Sequence, residues 1–101
     1  MKFEWDKEKT NIQKHGVRFE QAAYVFADPF ALNKYDAEHS HDEDRWIILG
    51  KSLNEVILVV VHIFRVVHMF RDDDSAELVR IISARKATKR EQLVYQKRRP
   101  Q

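Results

Sequence analysis

The residues in this 101-residue sequence best suited to chemistry are basic: Arg45, Arg80, Arg85, Lys86, Lys89 and Arg90. Five of the six fall within one stretch, LVRIISARKATKRE at 78–91. From Arg80 to Arg99 there are eight Lys or Arg against one acid, Glu91, whereas 36–44 holds five acids and no Lys or Arg. Such asymmetry points to a polyanion or an acidic partner at one end. Arginine suits phosphate because its planar fork makes paired hydrogen bonds and stays charged. The plainer alternative is a set of cross-strand salt bridges to Glu43, Asp44 or Glu55.

Two other groups could carry chemistry. Lys14-His15-Gly16 reads as the end of a helix, where the macrodipole favours cations. It is either a C-capping device or a general acid/base pair, since a histidine titrates near neutrality. His39-x-His41 lies among Asp36, Asp42, Glu43 and Asp44, but the spacing matches no structural zinc pattern and there is no cysteine. A solvated acidic loop is the preferred reading, with no metal and no cofactor expected. With only two glycines and no G-x-S-x-G elbow, nucleotide-cradling loops and serine-elbow catalysis are excluded.

The elements that must position these residues follow from patterning. Phe3 and Trp5 alternate with polar neighbours and suggest a first strand. Asp6 can cap a helix over 7–14, stopped by Gly16. Phe19, Ala22, Ala23 and Phe26 share one face of a second helix, ended by Asp28-Pro29. Residues 30–35, 45–49 and 56–61 read as strands. So does the apolar run around Arg80, and Thr88 with Glu91 fits a T-x-x-E capping box opening a last helix. The order β-α-α-β-β-β-β-α implies an α+β domain, with helices on one face of an antiparallel sheet.

One irregularity precedes the basic stretch: VVHIFR at 60–65 is followed by VVHMFR at 66–71. Six is even, so the duplication preserves the alternation of a strand. It predicts either a longer hairpin, turning near 72–75 and pairing with another chain, or a looped-out copy. His62 and His68 are then equivalent by parity.

Length gives one domain, 1–101. The apolar fraction is 44% and the charged fraction 34%. The first fifteen residues are charged throughout, and the longest apolar region is too short and too interrupted to span a bilayer. A soluble, cytoplasmic protein with no membrane role is expected.

KFEWD at 2–6, KHGVRFEQA at 14–22, ADPFAL at 27–32, H-x-H-D-E-D-R at 39–45 and RIISARKATKRE at 80–91 together resemble the BrnT toxin family, over nearly the whole chain. The second VVHxFR copy departs from the family pattern. The resemblance implies a RelE-like fold and a growth-arresting ribonuclease that acts on RNA. It also implies a BrnA-like antitoxin that neutralises the toxin and binds operator DNA, so that the complex represses its own promoter. A hetero-oligomer is expected, with a homodimer as the alternative.

On that basis Arg45, Arg80 and Arg85 would stabilise phosphate in a metal-independent reaction. Lys14 and His15 would be acid/base candidates, with Glu43 a further candidate base. Lys86, Lys89 and Arg90 would hold the RNA backbone. A non-catalytic nucleic-acid-binding module or a protein-interaction module is the alternative.

Overall fold

Alternation in the first residues puts Phe3 and Trp5 on one side of a strand, and those two rings fix where the chain begins. In the computed structural model, which describes residues 1–68 and 75–98, strand β1 spans Lys2–Trp5. Phe3 packs on Phe26 with ring centroids 5.4 Å apart, and Trp5 meets Phe19 edge-on at 6.1 Å. Helix α1 (Glu8–His15) and helix α2 (Phe19–Ala23) follow, and α2 runs into a 3-10 turn at Tyr24–Ala27. Then come β2 (Leu32–Tyr35), β3 (Arg45–Lys51), β4 (Ile57–His68), β5 (Ser75–Lys86) and α3 (Lys89–Arg98). The fold is α+β, with three α-helices and one five-stranded sheet among the described residues. Among the described residues no helix is long and apolar enough to cross a membrane.

The sheet order is β1-β5-β4-β3-β2. Pairing is antiparallel from β5 to β2, but β1 lies parallel to β5, with Phe3 opposite Val79 and Trp5 opposite Ile81. The wholly antiparallel sheet expected from short connections is corrected at this edge. Short turns report only on strands adjacent in sequence, and β1 meets its partner across most of the chain.

Helix α2 and the 3-10 turn cover one face of the sheet. Val17, Phe19, Ala22 and Val25 form the core with Ile48, Leu58, Val60, Val79, Ile81 and Ala84. Gly50 of β3 is required by this contact: a Cβ there would lie 2.8 Å from Val25 Cγ1 and 3.0 Å from the Ala31 Cβ. The turn can approach the strand this closely only where the side chain is missing.

Helix α1 is held by a polar residue. Ile12, its one large aliphatic side chain, is 38% exposed, whereas Asn11 is buried at 5%. The Ala84 N–H donates to Asn11 Oδ1 at 3.0 Å, and Asn11 Nδ2 donates to the Ala84 and Val17 carbonyls, both at 2.9 Å. β1 stops opposite Ile81, and three residues farther along β5, at Ala84, the Asn11 amide takes over as a surrogate strand. Gly16 ends the helix in the left-handed conformation at φ 68°. Asp6 does not cap α1; the N-cap is Lys7, and Asp6 meets Arg80 instead.

β4 passes through the first copy of the duplicated hexapeptide and on to His68, paired with β5 from Leu58–Lys86 to His68–Ser75. The start of the second copy therefore extends the strand. The turn is expected near 72–75, but Ser75 already belongs to β5; residues 69–74 and the His68 side chain lie outside the described residues. The register shifts once: Val61 faces Ser83 and His62 faces Ile81, leaving Ile82 as the extra residue of a bulge.

Candidate functional site

Arg80 and Arg85 are five apart, so regular alternation would send them to opposite faces of the sheet. The bulge at Ile82 cancels that. Ile81 and Ala84 both enter the core, and Arg80 and Arg85 both fall on the face away from it. Arg45 joins them there, because Arg45, Ile63 and Arg80 lie in one register row across β3, β4 and β5. Neighbouring strands are about 4.8 Å apart, so the Arg45 and Arg80 backbones are separated by about 10 Å with Ile63 between them. Ile63 is only 4% exposed. It makes an apolar floor between two long cationic side chains, whose stems can lie along it.

Arg65 belongs to the same cluster and is absent from the sequence-based set. Two residues beyond Ile63 on β4, it projects from the same face and pairs with Glu43. The alternation within VVHIFR was the signal: Val61, Ile63 and Arg65 share a side. Glu43 lies just before β3, so it is held at this end of the face. Ser40 helps to shape the approach, accepting from the Arg45 N–H at 2.9 Å and donating to the Asp36 carbonyl at 2.6 Å.

Arg80 is drawn toward Asp6, Nη2 to Oδ2 at 3.5 Å, with 40% of its side chain exposed. Glu4 stands opposite Arg80 in β1, so a small recess is lined by Glu4, Trp5, Asp6 and Arg80. Of the expected acids only Glu43 meets an arginine of this face, Arg65; the other partners are Asp6 and Glu91 in place of Asp44 and Glu55.

Arg85 is the best-held member. Its Nη1 and Nη2 donate to the two Glu91 oxygens at 2.7 and 2.8 Å, and Nη1 also donates to the Lys86 carbonyl at 3.3 Å. Glu91 Oε1 accepts from the Thr88 N–H at 2.8 Å, and the Glu91 N–H donates to Thr88 Oγ1 at 3.2 Å. The capping box therefore forms, and its carboxylate also grips an arginine. Hydrogen bonding from Arg85, then from Thr88, holds the Glu91 pKa at about 2, against its usual 4.5. In return Glu91 raises the Arg85 pKa above its usual value.

Distance divides the expected site. Arg85 faces Val59 and Arg80 faces Ile63, four residues apart on β4, or about 13 Å along the strand. Lys86, Lys89 and Arg90 are exposed around the start of α3, at the Arg85 end. Lys14 and His15 are exposed at the end of α1, in the helix layer, and no bond among the described residues joins them to the arginines. The sheet face thus gathers Arg45, Arg65, Arg80 and Glu43 at one end and Arg85 with the lysines at the other.

The remaining histidines and acids have other partners. His39 pairs with Asp36 at 3.0 Å. His62 is buried in the other face, its ring edge-on to Phe26 at 4.7 Å, and burial lowers its pKa despite a contact with the Val60 carbonyl. Asp28 accepts from Tyr95 Oη at 2.6 Å and from the Lys51 N–H at 2.8 Å, tying α3 to β3.

The family description "ribonuclease toxin, BrnT, of type II toxin-antitoxin system" matches residues 3–91, a span that takes in every arginine of this face. No curated protein matches the chain.

Proposed function

The chain belongs to the BrnT family of ribonuclease toxins of type II toxin–antitoxin systems, with RNA as substrate and an antitoxin as protein partner, and we propose that its basic sheet face is where RNA is cut. One observation carries the reading: Arg45, Arg65 and Arg80, from three adjacent strands, surround Ile63 on the face away from the core.

Cleavage proceeds without metal. The 2′-hydroxyl attacks the adjacent phosphorus, the bond to the 5′ oxygen breaks, and the products are a 2′,3′-cyclic phosphate and a 5′-hydroxyl. Charge develops on the phosphorane oxygens, and fixed cations that need no reorganisation stabilise it. Arg45 and Arg80 fill that role, with Arg65 beside them. A base takes the 2′ proton and an acid protonates the leaving oxygen. Glu43, held at the arginine cluster by Arg65, is the better-placed base. Lys14 and His15 are secondary candidates, because RNA would have to reach around the β5 edge to meet them. Lys86, Lys89 and Arg90 hold the backbone electrostatically, a contribution that weakens with salt.

The wider reading is a single RelE-like toxin domain working in the cytoplasm. It arrests translation and growth, and a BrnA-like antitoxin neutralises it. The two form a hetero-oligomer that reaches operator DNA only through the antitoxin and represses its own promoter. Expression of the toxin alone should stop growth, and coexpression of the neighbouring antitoxin should restore it. Purified protein should cleave RNA in the presence of a chelator, and Arg45→Ala with Arg80→Ala should abolish cleavage while leaving the circular dichroism spectrum unchanged. RNA that binds but stays intact would instead identify a non-catalytic binding module.

A further inference from the structure

The bidentate grip on Arg85 consumes particular donors, and what remains is informative. A guanidinium offers five N–H groups. Glu91 takes one from Nη1 and one from Nη2, and the Lys86 carbonyl takes the second from Nη1. The Nε–H and the second Nη2–H have no partner among the described residues. Those two lie parallel on one edge of the plane and form a second fork of the kind that receives a phosphate. Glu91 and the Lys86 carbonyl also draw the guanidinium toward α3, away from Arg80. With about 13 Å of strand between the two arginines, one phosphorus does not serve both.

We propose that Arg85 is a clamp for a flanking phosphate of the RNA rather than part of the reacting centre, and that Glu91 is the positioning residue that aims it. The inference rests on the reading that the Arg45–Arg65–Arg80 end of the face performs the cleavage. It gives the capping box two tasks: starting α3 and presenting the unoccupied edge of the Arg85 guanidinium to RNA. It also defines a subsite, whose ligand is a phosphodiester displaced along the strand from the scissile one. Lys86, Lys89 and Arg90 surround this subsite with exposed positive charge.

Substrate length separates the two locations. A dinucleoside monophosphate has only the scissile phosphate, whereas a longer oligonucleotide also has flanking ones. Arg85→Ala should raise KM for the oligonucleotide about tenfold, the scale of one charge-assisted hydrogen-bonded contact, with kcat nearly unchanged. On the dinucleotide that penalty should shrink to within about twofold, because the lost contact is one the short substrate never makes. Glu91→Gln keeps a side chain that still serves the capping box, so α3 should stay intact by circular dichroism, while KM for the oligonucleotide rises and kcat holds.

Equal losses for Arg85→Ala on both substrates, or a fall in kcat alone, would overturn the inference and return Arg85 to the scissile phosphate. An unchanged KM for Glu91→Gln would overturn the role given to Glu91. Wild-type protein that cleaves neither substrate would instead sink the underlying ribonuclease reading.

Discussion

Replacing Asn11 with alanine should be among the most damaging single changes in this chain, although the position looks expendable in sequence. Asn11 is 5% exposed and makes three buried hydrogen bonds, two to the Ala84 backbone and one to the Val17 carbonyl. Alanine removes both side-chain donors and the acceptor at once. The Ala84 N–H and two carbonyls then lose their partners, and a buried polar group left unpaired costs about 1–3 kcal/mol. Because water can enter the space partly vacated, the total is put at about 3 kcal/mol rather than the full sum. For a domain of this length that corresponds to a fall in Tm of roughly 10–20 °C. Urea denaturation followed by circular dichroism gives the number directly, with the m-value expected to stay constant. Asn11→Asp keeps the acceptor but directs a carboxylate at two carbonyl oxygens, so it should be at least as damaging. A loss under about 1 kcal/mol for the alanine variant would refute the claim that this amide stands in for a strand at the β5 edge.

Three further outcomes follow from single contacts. Gly50→Ala should cost about 1–3 kcal/mol by overpacking, since its Cβ meets Val25 Cγ1 at 2.8 Å and Asp28 Oδ2 at 3.2 Å; a neutral effect in denaturant titration would mean that the turn shifts freely. His62 has a pKa lowered below 6.5 by burial. Its neutral form is therefore favoured on folding, and stability should be full above pH 6.5 and decline as pH falls from there toward the folded value. His62→Leu should flatten that part of the stability profile. Glu91 has a folded pKa of about 2 against 4.5. Its contribution is present above pH 4.5 and lost as pH falls toward about 2, so Glu91→Gln should reduce the slope of acid unfolding in that window.

Much of the scaffold was legible because the signals were local. Thr88 and Glu91 announced a capping box that forms as read, and Gly16 announced a left-handed helix stop. Alternation placed the strands, although β3 and β4 run further than the apolar pattern suggested. What was not legible depends on contacts between distant segments. β1 joins β5 in parallel, a pairing on which no turn reports. Asn11 gives no hydrophobic signal, yet it anchors α1 where Ile12 does not.

The candidate site divides in the same way. The arginines of the sheet were visible as residue types, but their faces were not. The extra residue at Ile82 turns a five-residue spacing from opposite faces to one face, and a bulge depends on the partner strand. Arg65 was overlooked because the eye follows the apolar repeat around it. Asp6 gave no signal as a partner of Arg80 because the two lie 74 residues apart, whereas Glu91, six residues from Arg85, was read only as a capping residue. Lys14 and His15 looked like an acid/base pair in sequence, but they belong to the helix layer.

The most direct test of the ribonuclease account is single-turnover cleavage of a dinucleoside monophosphate by wild type and Arg80→Ala, with a chelator present and folding checked by circular dichroism. The account predicts a 2′,3′-cyclic phosphate product from wild type, and a rate lowered by about 10²–10³ in the variant, the scale of losing one preorganised donor at a charged transition state. A variant that cleaves as fast as wild type, or a wild-type reaction that the chelator abolishes, would contradict it.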